Sequence, residues 1–150
     1  MAEKIKVIDF IQTQLKERYK TFALYGPAMN GKSELAKKLA DKTGVLYIDL
    51  LAEFVSNIDL SSNIDIFEPK DLKDYLRKLA FNGRLIIIDN IDFLINTWDN
   101  LNKEHFLNFI DKDEYKIAYC FILQELKILR ESNIVNSLGQ SRVLNVYNVE

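Results

Sequence analysis

The stretch Gly26-Pro27-Ala28-Met29-Asn30-Gly31-Lys32-Ser33 constrains this chain more than any other. It reads G-x-x-x-x-G-K-S, follows a short apolar run from Thr21 to Tyr25, and leads into a helical pattern from Glu34 to Lys42. Strand, loop and helix in that order are the setting of a phosphate-binding loop. The glycines let the backbone curl so that successive N–H groups point at phosphate oxygens. A helix opening near Gly31 aims the positive end of its dipole at the same spot. Lys32 then reaches the outer phosphates and Ser33 offers a hydroxyl to Mg²⁺, so Gly26 to Glu34 as a unit are the expected nucleotide-binding residues. The plainer alternative is a glycine-bounded turn ahead of an ordinary helix, and it leaves the register of strand, loop and helix unexplained. The pattern points to a bound nucleoside triphosphate, ATP or another, with Mg²⁺.

Around that loop, strand and helix patterns alternate. Residues 3–20 space Ile5, Ile8, Ile11 and Leu15 as the apolar face of a leading helix. The runs Thr21–Tyr25, Val45–Leu51, Arg84–Asp89, Lys116–Leu123 and Arg142–Val149 read as strands, most of them apolar enough to be buried on both faces. Between them, helices are expected over about 34–42, 52–58, 69–81, a segment capped by Asn96 or Thr97 and running to Ile110, and 125–138. Pro69 suits a first turn, and Gly44, Asn82-Gly83 and Gly139 suit helix ends. The fold expected is α/β: a three-layer αβα sandwich around a mostly parallel sheet of roughly five strands, in one domain spanning 1–150, with 1–20 as leading helix and 21–150 as nucleotide-binding core.

Composition narrows the setting. The chain has 150 residues, 48% hydrophobic and 28% charged, with a net charge of −2. No global basic field recruits DNA or a membrane surface. The one cysteine, Cys120, lies in an apolar run and has no intrachain disulfide partner, which suits a reducing cytoplasm. Neither a signal-peptide core nor a run of membrane-spanning length is present, so a cytoplasmic protein is expected.

Catalysis needs more than the loop. Leu85-Ile86-Ile87-Ile88 runs straight into Asp89, a carboxylate at a strand end suited to holding Mg²⁺ through water; otherwise it caps the following turn. Asn90 follows, and an amide orients a water without accepting its proton. Asp92 is either the substitute base or the cap of a short turn. Gln124, after the strand ending at Leu123, either senses the outermost phosphate or bonds to backbone. Arg142, with Arg130 as rival, is the candidate to reach a neighbour's phosphates from the domain edge. His105 reads as a surface residue, Asp111, Asp113 and Glu114 as a solvated acidic turn, and Trp98, Phe106 and Phe109 as core.

Gly26-Pro27, Gly31-Lys32-Ser33 and Leu85 to Asp89 together resemble the core of AAA+ type ATPases. The resemblance implies a phosphate role for Lys32, Mg²⁺ roles for Ser33 and Asp89, a sensor role for Gln124, an arginine finger at Arg142, and homo-oligomers joined through nucleotide-bridged interfaces. Two departures stand out: Asn90 occupies the usual glutamate position, and the chain stops at Glu150, which leaves no room for a helical lid. Hydrolysis is therefore expected to be slow, dependent on assembly, or replaced by a nucleotide-gated scaffold role. A small-molecule kinase is a further alternative, against which stands the lack of an arginine-rich lid. Length, the lidless core and D-N-x-D are also similar to the BrxF family of BREX bacteriophage-defence systems, which implies other defence proteins as partners.

Overall fold

A computed structural model describes residues 4–27, 32–42, 44–79, 81–124 and 127–150. Three aliphatic runs make its centre: β1 (Phe22–Tyr25), β3 (Leu85–Asp89) and β4 (Ala118–Leu123), each buried along nearly its whole length. β2 (Val45–Asp49) and β5 (Val143–Asn145) flank them. The five strands are all parallel, in the order β2-β3-β4-β1-β5. A parallel sheet is buried on both sides because its crossovers lie over its faces, which is why these strands read as continuous apolar runs.

Side-chain alternation divides the core in two. Ile86, Ile88, Tyr119, Phe121 and Ala23 face α3 (Leu50–Ser56), α5 (Pro69–Arg77), α6 (Asp92–Ile95) and α7 (Asn100–Lys112), with the short α4 (Ile58–Ser61) packing Leu60 at their margin. Leu85, Ile87, Cys120, Ile122, Phe22 and Leu24 face α1 (Val7–Gln14) and α2 (Lys32–Ala40). The expected αβα sandwich is therefore the observed one. On the first face Trp98, Phe106, Phe121 and Tyr119 form a chain of ring contacts, and the Trp98 indole donates to the Phe67 carbonyl at 2.7 Å. Buried aromatics with their polar atom satisfied are core.

Several boundaries differ from expectation. The leading helix is only α1, and it buries Val7, Phe10 and Gln14, whereas Ile8 remains 46% exposed. Ile5 is not helical: its N–H donates to Asn148 O, and its carbonyl accepts from Glu150 N, so it lies parallel to Val149 just beyond β5. β2 stops at Asp49, whose carboxylate accepts from Ala52 N and caps α3. α5 ends at Arg77, short of Phe81. α7 is capped by Asp99, accepting from Asn102 N, and the Thr97 hydroxyl is instead donated to Leu94 O. The helix expected over 125–138 is, among the described residues, the single turn α8 (Lys127–Arg130). Beyond it, the Asn136 carboxamide accepts from Leu138 N and Gln140 N, and such local bonding competes with a helix. The final strand gives way at Val146 to a 3₁₀ turn.

Candidate nucleotide-binding site

The strand order carries a functional consequence. From β1 the chain crosses α2 to β2 at one edge; from β4 it passes over β1 to β5 at the other. Parallel sheets hold ligands outside the carboxyl ends of the strands where such connections diverge. That is where β1 delivers Gly26, β3 delivers Asp89 and β4 delivers Gln124, with Tyr25 beside Leu123 in register. Gly26 is buried and Pro27 exposed. Ala28, Met29, Asn30, Gly31 and the side chains of Lys32 and Ser33 lie outside the described residues. The helix that Lys32 opens, α2, carries Glu34 in its first turn, where an acid complements the helix dipole.

Asp89 is 3% exposed and follows Leu85 and Ile87 on the sheet face covered by α2. The loop helix and the carboxylate thus share one side of the sheet. Its Oδ2 accepts a hydrogen bond from the Tyr47 hydroxyl at 2.7 Å, and its Oδ1 accepts from Asn90 N at 2.8 Å. Tyr47 comes from the adjacent strand, two residues before Asp49, the register partner of Asp89. Burial, and then the bond to Asp89, pushes the Tyr47 phenol well above its ordinary value, so it remains a donor. Nothing in the local sequence marks Tyr47, because the contact depends on the β2–β3 register.

Asn90 is exposed and has φ +57°. Asparagine is among the few residues that adopt this left-handed conformation readily, so the residue type at the strand end fits the backbone it serves. Asp92 opens α6, and its Oδ1 accepts from Gln124 N at 2.7 Å. This bond ties the end of β4 to the turn after β3. One carboxylate oxygen of Asp92 thus positions the Gln124 segment, while the Gln124 residue is itself exposed.

Arg142 requires a correction. It is 1% exposed, not projecting from an edge, and its guanidinium donates to the carbonyls of Thr21, Ile110, Asp111 and Val135 and to Asp111 Oδ1. Burial pulls its pKa below the ordinary range, against the pull of Asp111. Five bonds to the interior leave it no reach toward a neighbouring subunit. The acidic turn is corrected with it, for each acid is engaged by an arginine. Asp111 takes Arg142, the buried Asp113 takes Arg77, and Glu114 takes Arg18 at 2.7 Å. Arg77 also donates to the Tyr119 hydroxyl and lies 3.7 Å from the Tyr115 ring centre. Arg130 is exposed at the end of α8, and His105 is exposed on α7.

The described carboxylate suits Mg²⁺. Magnesium is bound by few protein oxygens and keeps several waters. One buried carboxylate oriented by a neutral phenol and a backbone N–H, on the same sheet face as the loop helix, is such an environment. Among the described residues, no three His, Cys, Asp or Glu side chains cluster as a preformed metal cage. Of the expected metal-binding residues, Asp89 is the one whose side chain is described, and it would help hold such an ion, which supplies charge neutralisation between phosphates when bound.

Comparison with known proteins agrees with this geometry. The profile of the "ATPase family associated with various cellular activities (AAA)" matches residues 22–140. The large subunit of replication factor C from Staphylothermus marinus is 25% identical over 139 residues, covering 89% of this chain and 32% of that protein. Cytidylate kinase from Clostridium botulinum is 27% identical over 118 residues, covering 76% of this chain and 51% of the kinase. The chain thus spans about a third of the first relative and half of the second.

Proposed function

The chain belongs to the AAA family of ATPases, which are ATP-binding P-loop proteins, and from that premise we propose that it is a Mg²⁺-dependent ATPase subunit whose hydrolysis is slow or conditional on assembly. The observation that carries the proposal is the convergence of β1, β3 and β4 on one sheet edge, with Asp89 buried on the face of α2. Gly26 to Glu34 bind the phosphates, Lys32 contacts the outermost of them, and Ser33 with Asp89 takes the metal. Gln124 senses the terminal phosphate. Asn90 orients the attacking water without accepting its proton, and Asp92, two residues on, is the carboxylate assigned to that task. Copies meet through nucleotide-bridged interfaces. With Arg142 spent inside the fold, Arg130, exposed at the end of α8, is the arginine that acts on a neighbour's phosphates. The similarity to BrxF proteins extends the proposal to a multi-protein assembly in phage defence, in the cytoplasm.

A second reading, a nucleotide-gated scaffold with little turnover, is favoured by two facts. Asn90 stands where a general base is usual, and one oxygen of Asp92 is committed to Gln124 N. A kinase reading draws on the cytidylate kinase relative, but Arg18, Arg77 and Arg142 are each bound to an acid, so none is placed as a phosphate clamp. Turnover measured across protein concentration, with light scattering, separates the first two readings. The ATPase proposal expects ATP with Mg²⁺ to enlarge the particle, turnover per subunit to rise with concentration, and Arg130→Ala to lower turnover without weakening nucleotide binding. A monomer under every nucleotide condition, or turnover indifferent to Asp92→Ala and Asn90→Ala, would overturn it.

A further inference from the structure

Val7 and Phe10 of α1 enter the core, whereas Ile8 is exposed and Ile11 and the C-cap residue Leu15 are only partly buried against it. Ile8, Ile11 and Leu15 form one wall of a groove of about 630 Å³ at the sheet edge opposite the nucleotide site. The floor is Leu39 from the far end of α2, Val45 and Leu85, with Gly44 at one side. Lys16, Lys42 and Arg84 stand on its rim, and the lining contains no acid. All three cations are exposed, and among the described residues none has a carboxylate partner. The charge of this groove is therefore opposite in sign to that of the chain as a whole, which is −2.

A helix wall bearing apolar residues at i, i+3 and i+7 is a helix-packing surface. Unpaired cations around an apolar floor select a partner that brings its own carboxylates beside its apolar face. We propose that this groove docks an acidic amphipathic helix of a partner protein, its leucine-type side chains seated between α1 and the β2–β3 entry and its carboxylates meeting Lys16, Lys42 and Arg84. The mode is helix-in-groove recognition. It is independent of the nucleotide site, though Leu39 places the docked helix against the end of α2 remote from the phosphate loop.

The test uses the full chain and a synthetic helical peptide with leucines at i, i+3, i+4 and i+7 and glutamates elsewhere. Controls are the same composition with scrambled leucines and a version with lysine in place of glutamate. Anisotropy titrations should show binding of the glutamate peptide alone, and NMR shifts should concentrate at Ile8, Ile11, Leu15, Leu39 and Val45. Arg84→Glu should weaken it about tenfold or more, since a like charge then faces the glutamates. Ile8→Asp, at a half-exposed position, should do the same without unfolding the chain. Equal binding of all three peptides, or an Arg84→Glu chain that binds unchanged, would overturn the proposal. So would decanoate displacing the peptide and binding more tightly than it does, which assigns the groove to a small anionic amphiphile. Self-association lost in Ile8→Asp would assign it to a second copy and overturn it likewise.

Discussion

The Tyr47 hydroxyl donates to Asp89 Oδ2 at 2.7 Å and, together with the Asn90 N–H on Oδ1, orients that carboxylate. Groups that orient a metal-binding side chain typically matter by about ten- to a hundredfold in affinity. Tyr47→Phe should therefore raise the Mg²⁺ concentration needed for nucleotide binding by about tenfold. A Mg²⁺ titration of nucleotide binding reads this, and affinity measured without Mg²⁺ should not change. The pH dependence follows from the raised phenol pKa. The protonated form is favoured in the fold, so its contribution to stability is complete below the ordinary tyrosine value of about 10 and is lost as pH rises through the folded value. Asp89 was legible because four aliphatic residues end on a carboxylate; Tyr47 was not, because its partner lies across a strand register. Arg142 was misread for a related reason. A charged residue after a Gly-Gln-Ser turn looks exposed, and only the packing of α7 against β1 and the 134–142 loop reveals the carbonyls it serves. Truncating it strands several buried acceptors, so Arg142→Ala should destabilise the chain by about 3–5 kcal/mol. Thermal unfolding checks this, and a variant with unaltered melting but lost turnover would restore a role in trans.

At the scale of elements, the strands were legible because each is buried on both faces, and continuous apolarity leaves few alternatives. Helices were less so. Periodicity selected Ile8, Ile11 and Leu15, which line a groove and are at most partly buried, over Val7 and Phe10, which are buried. The segment after Arg130 has helical composition, yet Asn136 closes a turn on itself and Gly139, at φ +76°, continues it. The entries of β2 and β3 are closely packed against each other at Gly44 and Gly83. The Gly44 carbonyl accepts from both Arg84 N and Leu85 N, and a Cβ on Gly83 would lie 2.7 Å from that carbonyl oxygen and 2.2 Å from the Phe81 ring. Phe81 can swing away, but the backbone carbonyl can move only by disturbing both strand entries. Gly83→Ala should cost about 1–3 kcal/mol, in the range of overpacked sites, and denaturant unfolding measures it. An unchanged midpoint would mean the junction yields more easily than its hydrogen bonds suggest.

For the whole molecule, the sheet order separates two ends of different character. One end gathers Gly26, Asp89 and Gln124; the other gathers the apolar groove and its cations. Between them, Arg18, Arg77 and Arg142 fasten the turn after α7. No helix among the described residues is long and apolar enough to cross a membrane. The G-x-x-x-x-G-K-S pattern at 26–33 is visible from residue types alone; that α2, which follows it, lies on the same side of the sheet as Asp89 required the strand order and register. The measurement closest to the central claim is equilibrium binding of ATP with Mg²⁺ to the purified chain and to Lys32→Ala. Losing a charge-assisted phosphate contact of about 1.5–3 kcal/mol should weaken binding tenfold or more, in a variant whose melting curve is unchanged. Equal affinity of the two proteins would contradict the placement of the phosphates at this loop.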